Sequence, residues 1–344
     1  MAIKRVTMAD VAALAQVSKT TVSFVLNDRP GLSAATRDRV LAAAEELGWT
    51  PSAAARTLSG KGTDTIGVVL NRPPRLTGIE PALEDYFQGV EREVSHRLIS
   101  LLTRVVSSHE EELLTLRSWW YSRRVDGVIL VDLRANDDRP SALRNAHVPV
   151  AGVGDPKLRN QLPVAWHDDS AAIDQVVGYL HALGHTRIAR LSDRSVLSYA
   201  KIRNDAFEKS CADRRLSEQM VCPIEATAAA AAQTTRELLM LAKRPTAILY
   251  DNAVTAMAGM AVAQEMGIQV PRELSVVAWG GSQICNYTHP TLSAVEGDDL
   301  GLGMQAVRML LSKLKGEDVG DGQCATPIFV PRGSTAPVAR VNSF

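Results

Sequence analysis

Lys19, Thr20, Ser23 and Phe24 fall on one side of a short segment whose other side is Val22, Val25 and Leu26. Lysine donates to guanine and threonine contacts several base edges, so the polar side carries chemistry suited to reading a double helix. Other clusters are weaker. His167, Asp168 and Asp169 place an imidazole beside two carboxylates, which would serve acid–base or metal chemistry. Their context fits a strand end and a helix cap instead, with Ser170 opening the helix and no third group at convincing spacing. GLGMQA, from Gly301 to Ala306, formally matches a dinucleotide-binding pattern, but it follows Asp298 and Asp299, which would repel pyrophosphate, and it reads as a helix start. No phosphate-binding lysine loop or G-x-S-x-G elbow accompanies it. Cys211, Cys222, Cys285 and Cys324 lie far apart, form no C-x-x-C pair and read as reduced core thiols. No motif calls for a metal or a cofactor.

Two helices must position the polar side. Thr7 caps the first, with Asp10 at its third position completing a capping-box-like pair, and Val11, Ala12, Leu14 and Ala15 supply an inner face. Gln16, Val17 and Ser18 make a short turn in which Val17 points inward and Ser18 caps a second helix, from about Lys19 to Asn27. This is a helix-turn-helix, whose second helix enters the DNA major groove. Two amphipathic helices alone would equally make a plain hairpin. A third helix from Ala34 to Leu47, capped by Ser33 and stopped by Gly48, instead closes an independent headpiece. Thr50 and Pro51 then open an alanine-rich segment of about two turns, too short to be stable without a partner.

The 344 residues leave room for more than one domain, and 46% hydrophobic content permits a sizeable core. Net charge is zero, yet residues 1–61 carry eight Lys and Arg against five Asp and Glu, a local +3 that a dimer doubles. No stretch approaches the roughly 20 apolar residues of a membrane span, and MAIKRVTMAD lacks the apolar region of a secretory signal, so a cytoplasmic protein is expected. After Gly62, short apolar runs alternate with helical segments, the pattern of a parallel sheet covered by helices. Strands are expected at Thr65–Leu70, Ile99–Val106, Gly127–Val131, Val148–Val153, Pro163–Trp166, Arg187–Leu191, Met220–Ile224, Ala247–Tyr250 and Leu274–Trp279. Helices are expected at Leu83–Ser95, Glu110–Arg123, Ser170–Leu183, Tyr199–Arg214 and Ala253–Met266, in two similar halves that meet near Leu162.

The chain resembles bacterial transcription regulators of the lac repressor (LacI/GalR) family. The likeness rests on TMADVAALAQVSKTTVSFVLN, on LSAATRDRVLAAAEELGWTPSAAARTLSGK, and on RRVDGVIL, ALGHTRIA, GIQVPRELSVVAW and PRGST, together running from Val6 to Thr335. It implies a headpiece at 1–50, a hinge helix and linker at 51–62, and an α/β core at 63–344 resembling a periplasmic binding protein. That core would have two doubly wound parallel-sheet subdomains, about 63–162 with 293–321 and 163–292 with 322–344. Such sheets bind ligands beyond the carboxyl ends of their strands, which places a small-molecule effector in the cleft between the subdomains. Hinge closure around it would alter the spacing of paired headpieces.

Position by position, the resemblance gives Lys19, Thr20 and Phe24 to base reading, and Ser18, Thr21, Ser23 and Asn27 to phosphates. Phe24 departs from the family's frequent arginine; a ring packs on a thymine methyl but cannot make arginine's two bonds to guanine, and on residue type alone it also suits packing within the headpiece. Ala55 and Leu58 match the hinge positions that approach the minor groove, with Leu58 as a wedge. In the cleft, Arg203 corresponds to an arginine that holds ligand polar groups, and Asp251 and Asn252 to a polar strand end. Gly280 and Gly154 replace two acidic residues common in the family, which removes carboxylates that accept from sugar hydroxyls and argues against a typical monosaccharide. Trp279 and Asp155 could rebuild a site for another ligand, Arg203 could bind an anion, or no effector is needed; Trp279 equally suits core packing.

With the resemblance, the expectation is a homodimeric sequence-specific regulator, a repressor, on a near-palindromic operator, since twofold protein symmetry is matched by twofold DNA symmetry. The terminal PVARVNSF has no leucine heptad, which favours a dimer over a tetramer. The alternatives are a solute-binding protein, which should have a secretory signal and no headpiece, and an α/β enzyme, which should turn over its ligand.

Overall fold

The computed structural model describes residues 6–27, 29–50, 62–72, 81–158, 162–193, 197–216 and 218–338. The hinge segment expected at 51–62 lies almost wholly outside them. In the headpiece, helices α1 (Met8–Leu14), α2 (Lys19–Leu26) and α3 (Ala34–Glu46) start where the sequence supplies caps. The Asp10 carboxylate accepts from the Thr7 backbone N–H at 2.8 Å and from its hydroxyl at 2.7 Å. Ser18 Oγ accepts the Thr21 N–H at 3.1 Å, and Ser33 Oγ accepts the Thr36 N–H at 3.2 Å. Gly48 turns left-handed (φ +57°) after α3, and the next N–H, that of Trp49, reaches back to the Ala44 carbonyl at 2.8 Å. Gln16 adopts φ +54° in the turn between α1 and α2.

Val11, Ala12, Ala15, Val22, Val25, Val40, Ala43 and Ala44 form the headpiece core, with Val17 and Leu26 packed on its edge. Leu14 is 43% exposed and does not belong to the expected inner face. On a helix it sits roughly 100° from the centre of the Val11–Ala12–Ala15 stripe, too far round to reach the small core.

The remainder is two six-stranded sheets. The first has the order β11-β5-β4-β3-β1-β2 and the second β12-β10-β9-β8-β6-β7. In chain order the strands are β1 (Thr65–Asn71), β2 (Ser100–Val106), β3 (Gly127–Leu130), β4 (Val150–Val153), β5 (Val164–Trp166), β6 (Arg187–Asp193), β7 (Glu218–Ile224), β8 (Ala247–Tyr250), β9 (Ser275–Trp279), β10 (Ser293–Glu296), β11 (Gly322–Gln323) and β12 (Ile328–Val330). Helices α4 (Pro81–Ser95), α5 (His109–Tyr121), α6 (Arg139–Asn145), α7 (Asp169–Ala182), α8 (Ser198–Asp213), α9 (Ala228–Leu239), α10 (Ala253–Glu265) and α11 (Asp299–Leu314) connect and cover them. Among the described residues the pairings are parallel except β10 with β12. Each sheet is buried on both faces, as parallel sheets require: Ile66 and Val68 of β1 face one apolar cluster while Val69 faces the other.

The chain changes sheets three times, and each change falls later than expected. β5 still pairs in the first sheet (Gly152↔Val164), β10 pairs in the second (Ser293↔Val277), and β11 returns to the first (Gly322↔Ala165). The crossings therefore follow Trp166, Glu296 and Gln323 rather than residues 162, 292 and 321. The break at Leu162–Pro163 is only the turn before β5, because a strand must complete its pairing before the chain can leave the sheet. Strand β4 starts at Val150 rather than Val148: Pro149 has no N–H to donate, and the Val148 N–H is spent on the Leu143 carbonyl at 3.0 Å.

The GLGMQA segment lies in α11, where Gly301 sits under the Asp298 cap and Gly303 serves packing. A Cβ on Gly303 would sit 2.2 Å from the Tyr86 carbonyl oxygen, and one on Gly89 would sit 1.9 Å from that of Leu300, so α4 and α11 touch backbone to backbone. That contact also sets Tyr86 and Asp299 in the wall described next.

Candidate functional site: the recognition face and the inter-sheet cleft

Helix α2 presents the expected reading residues together. Ser18, Lys19 and Thr20 are exposed, while Thr21, Ser23, Phe24 and Asn27 are half-buried. Ser18 is committed to the cap and also meets the Thr21 hydroxyl at 2.9 Å. Asn27 ends the helix, its Nδ2 donating to the Ser23 carbonyl at 2.9 Å. Phe24 does not pack into the headpiece core; the Arg29 guanidinium lies 5.3 Å from its ring centroid on the outer side. Ala55 and Leu58 lie outside the described residues.

The second site is a cavity of about 240 Å³ between the carboxyl ends of the two sheets. Arg203, Asp251, Asn252, Trp279 and Asp155 all line it, so residues from α8, β8–α10, β9 and β4 converge there. Arg203 is the centre of one wall. Its Nε donates to Asp169 at 2.7 Å, and its guanidinium stacks 3.8 Å from the Trp279 centroid and 4.7 Å from that of Tyr199. Burial works against its charge, but Asp169 and Asp251 (3.9 Å) outweigh that and hold its pKa above the ordinary arginine value.

Asp251 faces two ways. It pairs with the fully buried Arg190 on β6 and accepts the Asp193 N–H at 2.7 Å. Asn252 is occupied as the cap of α10, where its Oδ1 accepts the Thr255 N–H at 2.8 Å. Asp155 accepts the Lys157 N–H at 2.7 Å. Gly280 (φ +77°) and Gly154 (φ +153°) both have positive φ, which an L side chain rarely adopts, and a Cβ on Gly280 would meet open space. The cleft wall is therefore bare backbone at both glycines, open beside Gly280 and backed by Leu133 beside Gly154.

Several lining residues were not expected in the cleft, although His167 and Asp169 stood out as an acid–base or metal cluster and Asp299 as an acidic residue at a helix start. Asp169 and Asp299 each follow a helix cap (Asp168 and Asp298), and only the fold turns them inward. The Asp299 carboxyl is pushed up to about 6 by burial, although His167 and Arg203 oppose the shift. Arg72 pairs with Asp132 across the first sheet's end. Tyr86 reaches the wall from α4, only 4% exposed, and its hydroxyl has no hydrogen-bond partner among the described residues. Arg190 had a legible signal, since an arginine inside the apolar run of β6 demands a buried counter-charge. The two sides also touch directly: the Ser198 N–H donates to the Leu133 carbonyl at 2.7 Å, and Arg134 bridges Leu197. His167 Nε2 lies 3.3 Å from the Asp298 carbonyl oxygen.

Comparison with known proteins finds matches for both parts of the chain. Residues 7–52 match the model of bacterial regulatory proteins of the lacI family, and residues 177–335 that of a periplasmic binding protein-like domain. The HTH-type transcriptional regulator MalR of Streptomyces coelicolor is 30% identical over 346 residues, covering 96% of each chain. This chain belongs to the lacI family of bacterial regulatory proteins. The HTH-type transcriptional repressor PurR of Aliivibrio fischeri (strain MJ11) is 29% identical over 91% of this chain and 93% of its own. The crystal structure of the lac repressor dimer bound to operator and the anti-inducer ONPF superimposes with a TM-score of 0.83 at 27% identity, covering 97% of this chain and all of that one. The protein is thus a DNA-binding transcriptional regulator, with a helix-turn-helix headpiece and a periplasmic-binding-protein-like effector domain. Among the described residues no helix is long and apolar enough to cross a membrane, and Cys211, Cys222, Cys285 and Cys324 are free thiols.

Proposed function

We propose that this regulator is a cytoplasmic, homodimeric repressor that holds a near-palindromic operator and releases or tightens it when a compact small molecule closes the cleft. Its carrying observation is that one chain joins a Ser18-capped recognition helix, with Lys19 and Thr20 exposed, to a two-sheet cavity whose sides already meet at Ser198 and Leu133. Lys19, Thr20 and Phe24 read bases; Ser18, Thr21, Ser23 and Asn27 hold phosphates; Ala55 and Leu58 enter the minor groove, where Leu58 unstacks the central step. Arg203, Asp251, Asn252, Trp279 and Asp155 form the effector site. Gly280 and Gly154 supply no carboxylate for a typical monosaccharide. The cleft is read as a binding site rather than a catalytic one, with Arg203, Arg190 and Asp251 tied into ion pairs and Asn252 into a helix cap.

The test is fluorescence anisotropy on an operator selected from random duplexes, with and without the small-molecule fraction of a bacterial extract. A several-fold change in operator affinity, lost in Trp279→Ala, supports the effector reading; an unchanged affinity contradicts it.

A further inference from the structure

We infer that the cleft takes a compact ligand bearing a positively charged amine, answered by the carboxylates of Asp155 and Asp299. This rests on the effector reading above and names the chemistry of that site. Every guanidinium in the wall or directly beneath it already has a carboxylate: Arg72 has Asp132, Arg203 has Asp169 at 2.7 Å, and Arg190 has Asp251. An anionic ligand would therefore meet guanidinium charge that a carboxylate already offsets. Asp155 and Asp299, by contrast, form no ion pair with Lys or Arg among the described residues, although both line the same cavity.

Around Asp299, His167 and Arg203 favour its charge, Asp169 and Asp85 oppose it, and burial outweighs them, so its carboxyl rests near 6. A closing cleft that expelled the remaining water onto a neutral ligand would leave that charge uncompensated, whereas an ammonium neutralises it. The Tyr86 hydroxyl is an independent sign of a missing polar partner. It is buried, lines the same cavity and bonds to nothing among the described residues, a cost that a ligand N–H removes. Asp299 also couples occupancy to pH: the amine binds the carboxylate form, so affinity climbs as pH rises from 5 to 7, approaching tenfold per unit below the carboxyl's pKa.

The experiment is calorimetry on the full chain with two matched sets of probes: putrescine, 1,4-butanediol and succinate, and glucosamine, glucose and glucose 6-phosphate. The expected result is that an amine member binds at least tenfold more tightly than its hydroxyl and anionic counterparts, with affinity rising from pH 5 to pH 7. Asp299→Asn should flatten that rise, and Asp155→Asn, at a half-exposed position, should weaken binding in a folded chain. Tighter binding of a neutral or anionic member, or no binding by either amine, overturns the inference. The extract experiment separates the two readings: an extract that shifts operator affinity while the amines do nothing leaves the effector site standing and removes the amine.

Discussion

Replacing Arg203 tests how far the cleft wall is held by one side chain. Its side chain is 13% exposed and that of Asp169 14%, so the 2.7 Å contact is a largely buried charge pair. Removing one partner from a fully buried pair costs about 3–5 kcal/mol, and residual solvent access here brings the expected loss to about 2–3 kcal/mol. The stack on Trp279 adds about 1 kcal/mol that alanine cannot restore. Arg203→Ala should therefore destabilise the effector domain by about 3–4 kcal/mol, and Arg203→Lys, which keeps charge but loses the flat fork, by roughly half as much. A double-mutant cycle of Arg203→Ala with Asp169→Ala, read by urea denaturation at pH 7, should give a coupling of about 1.5–2 kcal/mol. Additive losses, with coupling under about 0.5 kcal/mol, would refute the claim that this pair organises the wall.

Three further outcomes are expected. Ser18→Ala should cost the headpiece about 1 kcal/mol through the lost cap, read by thermal melting, whereas Ser18→Asp should keep the cap yet weaken operator binding more, because its charge faces phosphate. Phe24→Arg should raise preference for guanine at one symmetric pair of operator positions by about tenfold, an effect of about 1–3 kcal/mol for a bidentate contact; an unchanged selected sequence would show that residue 24 reads no base. Asp299, whose carboxyl is raised from 3.8 to about 6, favours folding while protonated, so its contribution is complete below about pH 4 and is lost as pH rises through about 6. Asp299→Asn should remove that fall from chemical denaturation profiles between pH 4 and 7, and an identical pH profile in the variant would contradict the assignment.

Local chemistry made the headpiece legible. Ser18 and Ser33 announce helix starts by accepting the N–H three residues on, and Thr7 does so through its own N–H and hydroxyl donating to Asp10; the structure forms each of these local bonds. Apolar runs likewise exposed β1 through β9. The short strands β10 to β12 escaped, because SAVE, GQ and IFV are too brief for periodicity and pair only with distant partners. The same limit displaced the sheet crossings by a few residues. Within the cleft, Arg203, Asp251, Asn252, Trp279 and Asp155 were reached by position, but their partners were not. Nothing local tells Asp169 to meet Arg203 across 34 residues of chain, or Tyr86 to reach a wall it shares with Asp299. Asn252 shows the converse, since its place at the wall was legible while its commitment to capping α10 was not.

Operator recognition by paired headpieces under control of the cleft is tested by repeated selection of random duplex DNA by the full chain at fixed salt, followed by sequencing of the retained pool. An enriched near-palindrome, bound by two chains and sensitive to substitution at Lys19, Thr20 and Phe24, is the expected result. A pool with no enriched sequence even at low salt, or an asymmetric site bound by one chain, would contradict it.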